Sequence, residues 1–465
     1  MKILYLASEV VPFAKTGGLA DVAGALPKAL AEIGHDIRVF MPGYSGIDRS
    51  LQTIPGTKVP VYFFENAGLF GNRKDLYQQA GVDFPDNLER FAAYCQAALP
   101  LCKKLDWRPD IIHCNDWQSA LVIAYLKVLY KDDPFFKRTA AVYSIHNLGY
   151  LGLFPKEKMP ATGLGGDQFT PETLEFWGNI ALTKAGMVYA DVINTVSGTY
   201  SREIQTADYG QGLDGLLRAR SKDVYGIING LDYEIWNPAT DKNIPKRYSP
   251  ATLTLKFDNK LELQKRNNLP QRREIPLFGM ISRLADQKGF DILAQALEEL
   301  MQEQCQFVVL GTGDKKYHDL LTKLKQKYPD HIGVNLGYDA EMAELIYAGA
   351  DLFVMPSRYE PCGLGQLISF KYGTVPVVRR TGGLADTVSD YDPQTGEGEG
   401  FVFTEYSANA LLRTMRRACD TFHKRSVWKV LQEKLMRLDY SWDASAKKYV
   451  SLYMKALAKI GIAAL

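Results

Sequence analysis

The sequence predicts an α/β protein of two Rossmann-like, doubly wound domains, and three observations carry that prediction. Short continuous apolar runs alternate with longer helical patterns along the whole chain, as they do where parallel strands are covered by helices on both faces. The length of 465 residues, 46% hydrophobic, exceeds what one ordinary core holds and supplies enough apolar side chains for two. Finally, Thr16-Gly17-Gly18-Leu19-Ala20-Asp21 returns as Thr381-Gly382-Gly383-Leu384-Ala385-Asp386, each time after an apolar run and before a helical one.

In the first half the predicted strands are Ile3 to Ala7, Ile37 to Met41, Ile111 to His113, Ala140 to Ile145, Val192 to Val196 and Tyr225 to Ile228. In the second half they are Leu277 to Ile281, Phe307 to Leu310, Leu352 to Met355 and Val375 to Val378. The rhythm breaks from Asn237 to Asn259, where three prolines and several charges intervene, so the hinge is placed there. This gives a first domain of residues 1–240 and a second of 241–443. The stretch 444–465 is helical in pattern and is expected to cross back onto the first domain.

Lys+Arg of 55 against Asp+Glu of 53 leaves a formal charge of +2, which calls for neither a nucleic acid nor an anionic membrane as partner. The six cysteines, at 95, 102, 114, 305, 362 and 419, have no paired short spacing, which fits neither a disulfide framework nor a zinc site and suits a reducing compartment. The apolar run after Lys2 is too brief for a signal peptide, and no run reaches the roughly 20 residues of a membrane span.

Ligands of open α/β sheets sit beyond the carboxyl ends of the strands, so the residues following each run are the candidates. Lys15, Gly17, Gly18 and Asp21 follow the first run, His113 and Asn115-Asp116-Trp117 the third, His146 the fourth, and Asn229 the last of that half. In the second half, Arg283 and Lys288 stand where a strand opens into a helix. Two cations there would meet the negative charge that grows on a departing diphosphate. Glu360 precedes Cys362-Gly363-Leu364-Gly365, and a carboxylate there can hold sugar hydroxyls or stabilise an oxocarbenium-like transition state. The paired glycines of the repeated hexapeptide, beside Thr381 in the second copy, let backbone N–H groups approach a ligand. No His/Asp cluster has metal-ligand spacing, and the expectation is transfer without a metal or cofactor, protein cations serving in place of Mg²⁺.

Lys15-Thr16-Gly17-Gly18-Leu19, Ser144-Ile145-His146-Asn147, Asn229-Gly230-Leu231-Asp232 continuing to Pro238, Ser282-Arg283 with Gln287-Lys288-Gly289, and Glu360-Pro361-Cys362-Gly363-Leu364 together resemble the bacterial glycogen synthase and plant starch synthase family, in order over almost the whole chain. The resemblance implies a GT-B glycosyltransferase with a deep cleft between its domains. It implies glucose transfer from ADP-glucose to the non-reducing end of an α-1,4-glucan with retention of configuration, in the cytoplasm of a bacterium or a plastid stroma. By that likeness Arg283 and Lys288 neutralise the diphosphate, Glu360 holds the glucose with backbone N–H groups of Cys362, Gly363 and Leu364, and His146 presents its carbonyl to the anomeric centre. Lys15, Gly17, Gly18, Asp21, Asn229, Gly365 and Thr381 complete the donor site, and Tyr338 stacks near the adenine. Two departures stand out. Gly365 replaces the Thr or Ser of many relatives, and Ile368 stands where the wider retaining class often has a second Glu. A transferase of the same fold with a small acceptor, and a catalytically silent glucan-binding initiator, remain the alternatives.

Overall fold

The computed structural model describes residues 1–73, 75–79 and 81–462. Contacts divide the chain into two compact units, Leu231–Ser441 forming one and Met1–Gly230 with the helix Trp442–Lys459 the other. The division therefore falls earlier than the expected boundary at 240/241. The expected hinge segment folds onto the second unit: Tyr248 donates its hydroxyl to Tyr372 O (2.7 Å), and Tyr372 donates to Asp241 Oδ2 (2.6 Å). Of the expected final helix 444–465, residues 463–465 lie outside the described residues.

The first unit is built on seven strands: β1 (Lys2–Leu6), β2 (Asp36–Pro42), β3 (Val61–Phe64), β4 (Ile111–Asn115), β5 (Ala140–Ile145), β6 (Val192–Thr195) and β7 (Val224–Gly226). All pairings are parallel and the order is β7-β6-β5-β4-β1-β2-β3. Strands β4, β5 and β6 are buried at every residue, which is why they show no polar/apolar alternation, and the polar residues they contain, among them His113, Ser144 and Asn194, are hydrogen-bonded inside. The helix Gly18–Glu32 turns Leu19, Ala20, Val22, Ala23, Leu26 and Leu30 inward, at the spacing of one helical face. Helix Trp442–Lys459 does the same with Ala446, Tyr449, Leu452, Tyr453 and Ala456. It is pinned by polar contacts as well, since His113 Nδ1 lies 2.9 Å from Tyr453 Oη and Ser445 donates to Ile228 O (2.8 Å).

The second unit repeats the plan with β8 (Leu277–Ile281), β9 (Gln306–Gly311), β10 (Ile332–Leu336), β11 (Leu352–Met355), β12 (Val375–Arg379) and β13 (Phe401–Phe403), again all parallel, in the order β10-β9-β8-β11-β12-β13. Strands β3, β10 and β13 are absent from the sequence reading. All three are edge strands, where one side of the ladder is unpaired and the apolar run correspondingly short. In both sheets the order reverses once, between β1 and β4 in the first unit and between β8 and β11 in the second. At such a switch point the two loops leaving adjacent strands diverge to opposite faces and leave a crevice. No helix among the described residues is long and apolar enough to cross a membrane.

Candidate active site

In the second unit the sequence candidates converge at the β8/β11 switch point. Lys288 ends a short 3₁₀ turn after β8, and Glu360 follows β11. Lys288 Nζ lies 2.6 Å from Glu360 Oε2, and Ser357 donates its hydroxyl to the same oxygen at 2.9 Å. The ammonium expected to face a diphosphate and the carboxylate expected to hold a sugar are thus one ion pair, and both are largely buried. Backbone contacts lock the two loops together: Arg358 N–H donates to Gln287 O (2.8 Å), and Gln287 Nε2 donates to Tyr359 O (3.2 Å). Arg283, on the same loop as Lys288, is solvent-exposed. Ser357 was missed by the sequence reading, although it is the second residue beyond β11 and so in the position that reading searches.

The second copy of the hexapeptide packs against this pair. Thr381, buried, caps the helix Gly382–Thr387 with extended backbone, and Gly383 N–H reaches both Glu360 O and Pro361 O at 3.1 Å. Gln366 fastens the turn from the other side, its Nε2 donating to Cys362 O (3.1 Å), Gly363 O (2.8 Å) and Thr387 Oγ1 (3.2 Å). Gly365 opens the helix Gly365–Lys371, and a Cβ there would lie 2.7 Å from Phe353 Cε1. The Phe353 ring on β11 therefore fills the room that a hydroxyl-bearing residue at 365 would need, which gives the departure at that position a steric cause. Cys362 is buried and packs in this turn. Tyr338, two residues beyond β10, is 88% exposed at the same end of the sheet but lies beyond β9 from the Lys288–Glu360 pair.

In the first unit the loop after β1 carries Lys15, whose Nζ pairs with Asp21 Oδ1 at 2.6 Å on the surface. The backbone N–H groups that the paired glycines were expected to offer a ligand are partly taken. Glu9 accepts from Thr16 N–H and from Gly17 N–H (3.0 Å), as well as from the Thr16 hydroxyl (2.6 Å) and the Tyr77 hydroxyl (2.7 Å). The anion at the start of the Gly18–Glu32 helix is therefore the protein's own Glu9, with Gly18 the first helical residue. Glu9 was missed because its role depends on a fold-back across the loop.

His146 leaves β5, and its backbone N–H donates to Asp116 Oδ1 at 2.8 Å. Its Nε2 lies 2.9 Å from Asn115 Oδ1, which fixes the ring as the Nε2–H tautomer, since an amide oxygen only accepts. Burial pushes the His146 imidazole down to about 4 and that of His113 down to about 3, so both are neutral near pH 7. Asp116 adopts φ +54° and burial pushes its carboxyl up to about 7, against the backbone N–H groups of His146 and Asn147 that favour the charge. Asn229 is buried, and its Oδ1 accepts no hydrogen bond from the described residues. A buried acceptor left so costs about 1–3 kcal/mol.

Comparison with known proteins follows this division. Residues 2–219 match the model of the starch synthase catalytic domain, and residues 262–429 that of glycosyl transferases group 1. The chain is 49% identical to a glycogen synthase of Geotalea daltonii and 47% to one of Thermotoga maritima, in each case over 99% of this chain and all of the relative. Among solved structures, the catalytic domain of starch synthase IV from Arabidopsis thaliana, bound to ADP and acarbose, matches with a TM-score of 0.89 at 31% identity, covering 98% of this chain and 99% of that one. A sucrose-phosphate synthase from Thermosynechococcus elongatus shares the fold, at a TM-score of 0.62 and 18% identity. The chain belongs to the glycogen and starch synthase family of glycosyltransferases.

Proposed function

We propose that this glycogen synthase family member lengthens an α-1,4-glucan at its non-reducing end with glucose from ADP-glucose, retaining the anomeric configuration. The observation that carries the site assignment is the Lys288–Glu360 pair at the β8/β11 switch point, braced by Ser357. An ammonium has three N–H donors, and Glu360 uses one of them. The other two suit the oxygens of a departing diphosphate, on which negative charge grows as the glycosidic bond breaks. Arg283, exposed on the same loop, suits the same anion. Glu360, held by Lys288 and Ser357, is positioned to bind glucose hydroxyls and to offset positive charge on the ring. The ADP held by the Arabidopsis relative agrees with an adenine nucleotide donor, and its acarbose with a glucan-like acceptor.

In the first unit Lys15, Gly17, Gly18 and Asp21 are assigned to the donor, with the unpartnered Asn229 oxygen suited to a sugar hydroxyl. The resemblance to the family supports front-face substitution, in which a diphosphate oxygen accepts the acceptor's proton. His146, neutral near pH 7, is assigned its backbone carbonyl at the anomeric centre and not a proton-donating ring. The six buried free thiols suit a reducing cytoplasm. Incubation with labelled ADP-glucose and a maltooligosaccharide tests the activity: stepwise extension is expected, and sugar release without extension, or no turnover, overturns it. Products that keep the α-linkage by NMR support retention.

A further inference from the structure

The most conspicuous residue outside these loops is Trp177. It stands in a small antiparallel sheet whose strands, in order, are Leu153–Pro155, Asn179–Ala181 and Glu175–Phe176. Trp177 and Gly178 form the two-residue connection of its hairpin, with φ +50° and +78°. Positive φ at both positions is the type I′ pattern, for which Asn-Gly and Asp-Gly are the favoured pairs. A bulky residue at the first position costs about 1–2 kcal/mol of backbone strain. Trp177 is also 82% exposed, so no burial of its ring offsets that cost.

The hairpin that carries the ring is nevertheless braced. Phe176 packs edge-on at 6.2 Å between centroids, Gly178 N–H donates to Glu175 Oε1 (2.7 Å), and Asn179 Nδ2 donates to Trp177 O (3.3 Å). The facing loop comes so near that a Cβ on Gly212 would lie 3.0 Å from Phe176 and 3.5 Å from Trp177 Nε1. The small sheet is itself fastened to the carboxyl end of the parallel sheet. Phe154 packs on Trp117, the residue after Asp116, at 5.7 Å, and Leu182 and Thr183 donate their N–H groups to Gly152 and Leu151 (both 3.1 Å). The chain reaches this sheet directly from His146, and Tyr150 and Leu153 on the way are exposed as well.

A flat, solvent-facing indole on a braced hairpin suits a ligand with an apolar face and a polar edge. A glucopyranose ring has one, its axial C–H groups forming a face while its hydroxyls point to water. Charge favours a neutral ligand over a nucleotide, because the two charged residues nearest the indole in sequence, Glu175 and Glu172, are acidic. We propose that Trp177 is a stacking platform for a glucosyl unit of the α-glucan acceptor, a subsite that binds the polymer and not the donor. This rests on the acceptor named above.

Native electrophoresis of the full chain in gels with and without glycogen tests the subsite independently of catalysis. Trp177→Asn removes the ring while placing at this turn a residue suited to positive φ, and Trp177→Phe keeps an aromatic face. The wild type and Trp177→Phe should be retarded by glycogen, and Trp177→Asn clearly less. In kinetics Trp177→Asn should raise KM for glycogen about 3- to 10-fold, with KM for ADP-glucose unchanged and kcat at saturating glycogen retained. Its melting temperature should equal or exceed that of the wild type. Retardation of Trp177→Asn equal to that of the wild type overturns the assignment, as does a wild type that glycogen does not retard. An effect confined to oligomeric state in size-exclusion chromatography also overturns it, since the ring would then face a second copy of the protein. A wild type that binds glycogen but transfers no glucose would instead count against the functional reading.

Discussion

The two copies of Thr-Gly-Gly-Leu-Ala-Asp are identical in sequence and opposite in use. In the first, a Cβ added at Gly17 meets nothing within 4 Å, and the loop's N–H groups at Thr16 and Gly17 close on Glu9. In the second, a Cβ at Gly382 would lie 1.9 Å from Glu360 O, and one at Gly383 the same distance from Cys362 O. Gly17 in the first copy leaves a surface bare, whereas the glycines of the second let one segment of backbone lie directly on another and so set where Glu360 stands. A repeated motif marks strand-to-helix turns reliably, but what the missing side chains make room for depends on what folds against them.

Substitution separates the two uses. Gly383→Ala puts a methyl group into a backbone carbonyl and should cost about 3 kcal/mol or more of stability, seen as a lowered melting temperature and denaturation midpoint. An unchanged midpoint would mean that the second copy is as open as the first. Lys288→Ala should lower kcat by about 10²-fold or more, near 2.7 kcal/mol, with a smaller change in the ADP-glucose KM, because it leaves Glu360 without its counter-ion and the leaving group without a cation. A change in KM alone would place Lys288 in ground-state binding.

Asp116 tests the first unit through pH. Its carboxyl is pushed up from 3.8 to about 7, so the folded protein holds a proton there that the unfolded chain gives up between those values. Stability is therefore reduced above pH 7 and the penalty fades as pH falls towards 4. Asp116→Asn should stabilise the fold by up to about 4 kcal/mol at pH 8, less what the carboxylate's lost hydrogen bonds contribute, and by almost nothing at pH 4, read from denaturation midpoints across that range. A gain independent of pH would contradict the assignment. The smallest effect on folding is expected of Gly17→Ala, whose φ of −146° suits any residue. Its stability should stay within about 0.5 kcal/mol of wild type, while KM for ADP-glucose rises if that bare surface serves the donor.

Much of the fold was legible because parallel strands buried on both faces are mostly apolar and do not alternate. Ala140–Ile145, Leu277–Ile281 and Leu352–Met355 coincide with their predicted bounds. Of the four edge strands of the two parallel sheets only Val224–Gly226 was read, and with shifted bounds; Val61–Phe64, Ile332–Leu336 and Phe401–Phe403 were not legible, since an edge is covered less completely and leaves a shorter or interrupted pattern. Of the candidate site, Lys288, Glu360, Thr381 and the Cys362 to Gly365 turn could be named because they follow strands and combine charge with glycine. Glu9, Ser357 and the perturbed Asp116 could not be assigned a role, because each acts through a partner reached only when the chain folds back.

The sequence by itself determined two parallel α/β sheets and the loops that carry charge at their carboxyl ends, because burial on both strand faces and the turn chemistry of glycine are local requirements written residue by residue. Only the tertiary structure decided that Lys288 and Glu360 form one ion pair, that Glu9 occupies the first glycine loop while Glu360 and Cys362 lie on the second, and that Trp177 faces solvent. These are matters of distance between segments far apart in the chain, and the same short sequence satisfies its local rules equally well in either setting.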